Sequence, residues 1–252
     1  MSNDSIPRRL RDAVDNGHCR LCRASRHRLP AQESNARQTG ITVIGDVPWG
    51  THFCQFYQDK QDLMDILVAY FKAGLENNEF CMWVTSEPLA SAEAKAALAA
   101  NVENLERYIA DGQLEILDHG EWYTLGGKFE SERALQGLID RVETATRRGF
   151  AGLRMTGNTF WLDKSDWQAF TEYEAAVNAV IGKYRVLALC AYSLSKCGAI
   201  EIMDVISNHA FALMKRAGKW ERIDSAERKK VGVSLLDSEE RLRMANRLSP
   251  HR

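Results

Sequence analysis

The stretch that decides the fold is residues 45–59, GDVPWGTHFCQFYQD. Two glycines and a proline lead into an alternating apolar segment at 52–57, and an acidic helix start follows at Asp59. This order is typical of a β-strand that feeds a helix in an α/β domain. In P-loop proteins the joint carries glycines, a lysine and a hydroxyl that cradle phosphate. Here the joint has no glycine and places carboxylates at that position, which predicts an α/β fold without ordinary nucleotide binding.

The alternation of apolar strands and amphipathic helices continues along the chain. Apolar runs that end at polar residues predict four more strands, at 80–84, 114–117, 152–156 and 186–192. Between them, apolar residues repeat every three or four positions, as in helices with one buried face. Strands that alternate with helices pair in parallel and are covered on both faces. The sequence therefore predicts a three-layer α/β domain with a mostly parallel sheet of five or more strands.

Length and composition narrow the class of protein. A chain of 252 residues can bury one sizeable core plus appendages. Its net charge of −1 gives no overall case for binding nucleic acid or a membrane surface. No apolar segment follows Met1, so a secretory signal is not expected. Six scattered cysteines are typical of free thiols in a reducing compartment, which predicts a cytoplasmic location without membrane association.

The two ends of the chain differ from the middle. Residues 1–40 contain eight arginines, no lysine and few large apolar side chains, which predicts a basic, flexible arm. Residues 221–252 are charged and helical in character, with a capped helix expected at 238–246. We interpret this tail as a helical connector to an output module or as a dimerising segment. The predicted boundaries are thus 1–40, 41–220 and 221–252.

One possible metal site lies in the basic arm. Cys19 and Cys22 form a Cys-x-x-Cys pair, and His27 is close by in sequence. Such a set is able to hold zinc or to act as a redox pair. The second half of a usual zinc motif is missing, and neighbouring arginines would repel a cation. We therefore predict no metal site, with this trio as the alternative.

The predicted strands place several polar and aromatic residues at one edge of the sheet. Ligands of open parallel sheets bind beyond the carboxyl ends of the strands. The candidate residues at those ends are Tyr57, Glu87, Asp118, Trp122, Asn158, Trp161 and Tyr192. A few polar groups among aromatic rings are the usual lining of a small-molecule pocket. The alternative is that each residue has an ordinary structural role.

Three residues within the strands add to this candidate set. His52 and Cys54 share one face of their strand because side chains alternate, so they could hold a metal or a polar ligand. A core histidine beside a buried thiol is the alternative. Arg154 lies in an otherwise apolar strand and needs an anionic partner, either a ligand or a carboxylate such as Glu87 or Asp118.

Catalysis has little support in the sequence. The nucleophile elbow, the zinc-protease motif, the dinucleotide fingerprint and the Walker A lysine are all missing. Asp118 and Glu121 could form an acid–base pair, but acids after a strand are common. We therefore predict a protein that is not an enzyme and uses no cofactor.

Several blocks in a fixed order resemble a known family, the MEDS domain, named for methanogen/methylotroph, DcmR-type sensory domains. The blocks are 50–57, 80–86, 112–117 with Trp122 and Tyr123, 152–161 and 189–192. The resemblance implies a sensor of small organic compounds such as simple hydrocarbon derivatives. It also implies a partner or fused output module, either a histidine kinase or a transcription regulator. By resemblance His52 is the leading ligand-site residue, followed by Arg154 and Trp161.

Two further resemblances bear on function. The approach to the first strand, Gly45-x-x-Pro48-x-Gly50-Thr51, is similar to that of KaiC/RecA-like ATPases, although no P-loop follows. Residues 235–246 resemble the lead-in helix of PAS domains in sensor kinases. The leading interpretation is a sensor domain that binds a small organic ligand. The alternatives are a divergent nucleotide-binding ATPase and a DNA-associated regulator that uses the basic arm.

Overall fold

A seven-stranded sheet lies between two layers of helices in the computed structural model, which describes residues 35–224. A small two-stranded sheet precedes it. The strands are β1 Ala36–Gln38, β2 Asp46–Pro48, β3 Thr51–Tyr57, β4 Phe80–Thr85, β5 Leu114–Asp118, β6 Leu153–Asn158, β7 Val186–Ser193, β8 Phe211–Arg216 and β9 Lys219–Asp224. The helices are α1 Lys60–Glu76, α2 Ser91–Ala99, α3 Leu105–Ala110, α4 His119–Trp122, α5 Ser131–Arg147, α6 Trp167–Ile181 and α7 Ala199–Asn208, with a 3-10 turn at Lys164–Asp166.

The large sheet has the order β5-β4-β6-β7-β3-β8-β9. Every pair in it is parallel except β8 with β9, which is antiparallel. The five predicted strands are β3 to β7, and they fill the centre and one edge of the sheet. The predicted three-layer fold with a mostly parallel sheet is therefore confirmed.

The sheet separates two hydrophobic cores. On the α1 face, α1, α2 and α3 pack against the sheet, and Phe71 of α1 stacks on Trp83 of β4 with ring centroids 4.8 Å apart. On the α6 face, α5, α6 and α7 cover the sheet together with the short helix α4. Side chains alternate between the faces, so neighbouring strand residues enter different cores. This division decides which predicted site residues can meet.

The hairpin of β8 and β9 corrects the predicted start of the tail. Ala217 and Gly218 form its turn with φ angles of 46° and 76°. The predicted helical character from Glu221 is wrong over 221–224, because these residues pair with β8 as an edge strand. The usual hairpin dipeptide, Asn-Gly or Asp-Gly, is missing here, which is why the turn was not expected.

The last residues of the predicted arm also belong to the folded part. Strand β1 pairs with β2, and Arg37 on β1 forms an ion pair with Glu79 at 2.7 Å. The predicted flexible arm is therefore wrong for residues 36–40. Cys19, Cys22 and His27, like the helix expected at 238–246, lie outside the described residues. Within 35–224, no helix combines the length and apolar character needed to cross a membrane.

Candidate functional site

The turn between β3 and α1 holds carboxylates where a P-loop protein would hold phosphate. The backbone N–H of Asp62 donates to Asp59 Oδ1, and that of Gln58 donates to Asp62 Oδ2, both at 3.0 Å. Lys215 Nζ donates to Asp62 Oδ1 at 2.9 Å. Burial would raise the pKa of Asp62, but these hydrogen bonds outweigh burial and lower it. The donors that would bind phosphate are thus occupied by protein carboxylates.

The sheet divides the predicted site between its two faces. Tyr57, Asn158 and Arg154 make their contacts on the α1 face. The residues on the α6 face are His52, Cys54, Trp122, Trp161 and Tyr192. A single pocket that uses both His52 and Arg154 is excluded, because the sheet lies between them.

Arg154 is part of the fold rather than of a ligand site. Its side chain is fully buried, and its Nε donates to Glu79 Oε2 at 2.6 Å. The remaining guanidinium donors reach the carbonyls of Gln38, Thr39 and Tyr70 at 2.7, 3.2 and 2.8 Å. The predicted partners Glu87 and Asp118 are wrong, since Arg154 is near the amino end of β6 and those residues follow the carboxyl ends of β4 and β5.

A small polar network links strand ends on the α1 face. Tyr57 donates to Asn158 Oδ1 at 2.9 Å, and Asn158 Nδ2 donates to the carbonyls of Ser86 and Glu87 at 3.1 and 3.0 Å. Glu87 enters this network through its backbone only, and its side chain is exposed. These hydrogen bonds connect the carboxyl ends of β3, β4 and β6, which is a structural role.

Asp118 and Glu121 cap the short helix α4. Asp118 Oδ1 accepts from the N–H of Gly120 at 2.9 Å, and Glu121 Oε2 accepts from the N–H of Asp118 at 2.8 Å. This reciprocal arrangement is a capping box. Both carboxylates are occupied by backbone donors, so the geometry gives no support to the acid–base alternative.

An aromatic cluster lies at the carboxyl edge on the α6 face. We define it as Tyr123, Phe129, Trp161, Phe170 and Tyr173. The Trp161 ring lies 5.2 Å from Tyr123, 5.7 Å from Phe129 and 6.0 Å from Phe170 between centroids. The indole N–H of Trp161 is buried and has no hydrogen-bond partner in the described part of the chain. Trp122 packs into the same core, with Arg141 above its ring at 5.8 Å.

Four buried residues converge deeper on the α6 face. We call His52, Glu174, Cys190 and His209 the buried polar cluster. They are 2%, 3%, 8% and 3% exposed, respectively. Glu174 Oε2 lies 3.2 Å from Nε2 of His52 and 3.2 Å from Nε2 of His209. Cys190 Sγ lies 3.4 Å from His52 Nε2 and 3.7 Å from Glu174 Oε1.

Each member of the buried polar cluster comes from a different element. His52 is on β3, Glu174 on α6 and Cys190 on β7, while His209 joins α7 to β8. His209 Nδ1 is 2.7 Å from the carbonyl of Val205. Because a carbonyl only accepts, Nδ1 carries the hydrogen and donates, which closes the last turn of α7. The Nε2 atom of His209 therefore faces the Glu174 carboxylate.

Burial and mutual contact perturb the ionisable groups of this cluster. Burial would raise the pKa of Glu174, but the imidazoles of His209 and His52 outweigh it and lower the pKa to about 2. Burial lowers the pKa of His52, and His209 lowers it further. Burial also raises the pKa of the Cys190 thiol well above its ordinary value. Glu174 is thus ionised at neutral pH, whereas His52 and Cys190 are neutral.

Two other predicted residues border the buried polar cluster. Cys54 pairs in register with Cys190, but its thiol points to the carbonyl of Phe211 at 3.9 Å. The Tyr192 ring meets His209 edge to face at 5.8 Å, and its hydroxyl has no partner among the described residues. The face shared by His52 and Cys54 is confirmed, although only His52 joins the cluster.

Glu174, Cys190 and His209 were not among the predicted site residues. The sequence held one signal, because Glu174 lies four residues after Phe170 and three before Val177, inside the apolar stripe of its helix. An acid in such a stripe is buried and needs partners. Cys190 carried no comparable signal, since a cysteine fits an apolar strand.

A small cavity lies beside this cluster. It has a volume of about 10 Å³, room for about one water molecule, and lies between α6 and α7. Its lining includes Glu174, His209, Tyr192 and Asp204. Two larger cavities, of about 570 and 470 Å³, lie at the opposite edge of the sheet, near the amino ends of the strands.

Comparison with known proteins identifies the family. The sequence profile of MEDS, the methanogen/methylotroph, DcmR sensory domain, matches residues 51–210. No curated protein sequence matches the chain. The structure of a KaiC-like protein, PH0186 from the hyperthermophilic archaeon Pyrococcus horikoshii OT3, is similar with a TM-score of 0.52 and 14% identity, over 74% of this chain and 85% of that chain. The flagellar accessory protein FlaH from Methanocaldococcus jannaschii aligns with a TM-score of 0.46 and 10% identity, over 71% and 79% of the two chains.

At 14% identity, the likeness to the KaiC-like protein shows a shared fold and nothing about activity. The profile match is different in kind, because it is a match of sequence that spans well over half of the chain. It covers β3 to α7, and so includes the aromatic cluster and all four members of the buried polar cluster. The chain therefore belongs to the MEDS family of sensory domains.

Proposed function

We propose that this domain is the input domain of a signal-transduction sensor and binds a small organic molecule, such as a simple hydrocarbon derivative, at the aromatic cluster. The observation that carries the proposal is the unpartnered indole N–H of Trp161, buried among aromatic rings at the carboxyl edge of the sheet. This is the edge at which open parallel sheets bind their ligands. Family membership supports a sensory role in general.

The cluster has the chemistry of a site for a small, mostly apolar ligand. A buried N–H without a partner costs about 1–3 kcal/mol, and a ligand oxygen or another acceptor would remove that cost. The rings of Tyr123, Phe129 and Phe170 would supply apolar contact area around it. Small alcohols and short diols combine these two properties. Halogenated methanes test whether the site prefers a more apolar ligand, and methylamines test whether it prefers a basic one.

Access to the site would come from the segment that carries Phe129. Residues 124–130 connect α4 to α5 and include Gly126 and Gly127, with φ angles of 83° and 85°. Glycine adopts these angles without steric cost. Displacement of Phe129 would expose Trp161, because the two ring centroids are only 5.7 Å apart.

The proposed relay runs from the cluster to the end of the domain. Phe170 and Tyr173 belong to α6, which packs against α7, and α7 leads through β8 and β9 to residue 225. A ligand shifts a conformational equilibrium only by its different affinities for the two states. We propose that the bound and free states differ in how residues 221–252 engage a fused output module, a histidine kinase, a transcription regulator or a second copy of the chain.

The two alternative functions have less support. The carboxylates of Asp59 and Asp62 occupy the donors that a nucleotide phosphate would need, which disfavours an ATPase. The DNA-associated regulator rests on the basic arm, and residues 1–34 lie outside the described part of the chain. It stays a prediction, and binding that does not weaken with added salt would contradict it.

A thermal-shift screen of the full chain tests the proposal. The panel contains small alcohols, short diols, halogenated methanes and methylamines, with ATP-magnesium as the competing ligand. A compound that binds only the folded state raises the melting temperature, by mass action. Trp161→Phe keeps a ring but removes the N–H. Trp49→Phe is the matched control, since Trp49 lies under Arg37 at the opposite edge of the sheet.

We expect one class of small organic compound to raise the melting temperature. This rise should be smaller in Trp161→Phe and unchanged in Trp49→Phe. A shift by ATP-magnesium alone would replace the proposal with the divergent ATPase. If a compound raises the melting temperature of Trp161→Phe as much as that of the wild type, the sensor role stands, but the aromatic cluster is contradicted as the binding site.

A further inference from the structure

We propose that the buried polar cluster is a binding site for one transition-metal ion of the zinc class, held by His52, Glu174, Cys190 and His209. The inference is independent of the small-molecule site, which lies nearer the edge of the sheet. It goes beyond the Cys19/Cys22/His27 alternative, because it uses four residues that the fold brings together from β3, α6, β7 and the α7–β8 joint.

The donor set matches the preferences of zinc. Two imidazoles, a carboxylate and a thiol are all ligands that zinc accepts, and a soft sulfur with two nitrogens disfavours magnesium and calcium. The four ligand atoms lie within 4.8 Å of one another. The side chains of all four residues are buried, so water offers little competition for the ion.

The distances approach those of a tetrahedral site. With bonds of about 2.0–2.3 Å, ligand atoms in a tetrahedral zinc site are ~3.3–3.6 Å apart. The observed separations of His52 Nε2 and His209 Nε2 from Glu174 Oε2 are both 3.2 Å. Cys190 Sγ lies 3.4 Å from His52 Nε2, within the same range. The widest separation among the four ligand atoms, at most 4.8 Å, would shorten by about 1 Å on coordination.

The contact between His209 and Glu174 needs a cation. Because Nδ1 of His209 donates to the Val205 carbonyl, Nε2 of a neutral His209 presents a lone pair. That lone pair would face the Glu174 carboxylate across 3.2 Å, and neither atom has a well-aligned hydrogen bond within the described residues. A proton or a metal ion between them removes the repulsion. A ligating histidine that donates its other N–H to a backbone carbonyl is also the usual arrangement around a metal.

Charge balance favours a divalent ion. On binding, the ion would replace the thiol proton of Cys190 and any proton held between His209 and Glu174, and both protons would go to solvent. A divalent cation with one thiolate, one carboxylate and two neutral imidazoles leaves no net charge in the core. Buried net charge is costly, so this neutral set suits the site. The small cavity between α6 and α7 borders Glu174 and His209, two of the proposed ligands.

Cobalt substitution tests the site directly. The full chain in a Cys19→Ser/Cys22→Ser background, which removes the alternative trio, is stripped of metal with a chelator, dialysed free of that chelator, and titrated with CoCl₂ and then ZnCl₂. We expect one Co²⁺ per chain, with a thiolate-to-cobalt charge-transfer band in the near ultraviolet and intense visible bands of four-coordination. Zinc should abolish both sets of bands and raise the melting temperature.

Two variants with one matched control assign the ligands. Cys190→Ser should lose the charge-transfer band. Glu174→Gln should weaken cobalt binding by about 10–100-fold or more, because loss of an outer-shell partner alone already costs about 10–100-fold. Cys54→Ser is the control, because Cys54 pairs in register with Cys190 on the same face yet its thiol meets the Phe211 carbonyl. It should keep the full spectrum. Circular dichroism verifies that each variant is folded.

Several outcomes would overturn the proposal. One is a folded chain in the double-serine background that binds no cobalt. Another is a cobalt spectrum that lacks the charge-transfer band, or one that Cys190→Ser and Glu174→Gln both leave unchanged. If Cys190→Ser does not fold, Glu174→Gln and the wild-type band still decide the question.

Discussion

The ion pair between Arg154 and Glu79 should be among the largest single contributors to stability. Arg154 is fully buried, and Glu79 is the only carboxylate that it contacts among the described residues. Replacing Glu79 by Gln keeps the shape but leaves the Arg154 guanidinium without its counter-charge, and it also removes the counter-charge of the partly buried Arg37. Loss of one partner from a buried pair costs ~3–5 kcal/mol. The three backbone carbonyls that accept from Arg154 remain, which places the expected loss near ~3 kcal/mol.

Urea and thermal unfolding followed by circular dichroism measure this loss. For a chain of this size, each kcal/mol lowers the melting temperature by ~2–4 °C, so Glu79→Gln should melt roughly 6–12 °C below the wild type. Glu115→Gln is the matched control, since Arg141 meets Glu115 at 3.0 Å with both side chains about one-third exposed. That surface pair should contribute less than ~1 kcal/mol. Equal losses in the two variants would refute the assignment of Arg154 to the core.

Three more predictions follow from the contacts of the site. Gly157→Ala puts a methyl group against the Tyr123 hydroxyl, so it should cost ~1–3 kcal/mol in urea unfolding and weaken ligand binding at the aromatic cluster, whereas Gly182→Ala, with open space around a new Cβ, should not destabilise the domain. Tyr57→Phe removes one hydrogen bond to Asn158, which still accepts from the N–H of Phe160, and should cost ~0.5–1.5 kcal/mol. Asp62→Asn should destabilise the domain at pH 7. Because the folded pKa of Asp62 is lowered, its contribution is present above the unfolded value of about 4 and is lost as the pH falls below it, so the two proteins should converge in acid. A stability difference that stays constant from pH 7 to pH 3 would contradict this linkage.

The layered fold could be predicted because its signals are local. Strand β4 and strand β7 are apolar on both faces, and only a central parallel strand buries both. The β8–β9 hairpin could not be predicted, because β9 has too few apolar residues to show the alternating pattern of a strand. Its turn, Ala217-Gly218, is also not a usual hairpin dipeptide. An edge strand needs little apolar surface, so its pattern is weak.

The candidate site was harder to predict because the sheet sorts its residues by face and by end. Arg154 and Trp161 lie seven positions apart in sequence, yet the sheet separates the contacts of Arg154 from those of Trp161. The register of β4 with β6 decides that Glu79 meets Arg154, and register is not visible in a single sequence. His52 and His209 are far apart in sequence, and only the β3–β8 pairing brings their rings to 4.1 Å.

The central claim, that a small organic ligand binds at Trp161, is tested most directly by the indole N–H resonances of the ¹⁵N-labelled protein. The chain has six tryptophans, and the spectra of Trp161→Phe and Trp49→Phe assign the two resonances that matter. Titration with the best compound of the thermal-shift screen should move the Trp161 resonance saturably, as its N–H gains an acceptor, while the Trp49 resonance stays in place. An unmoved Trp161 resonance at saturating ligand would contradict the account.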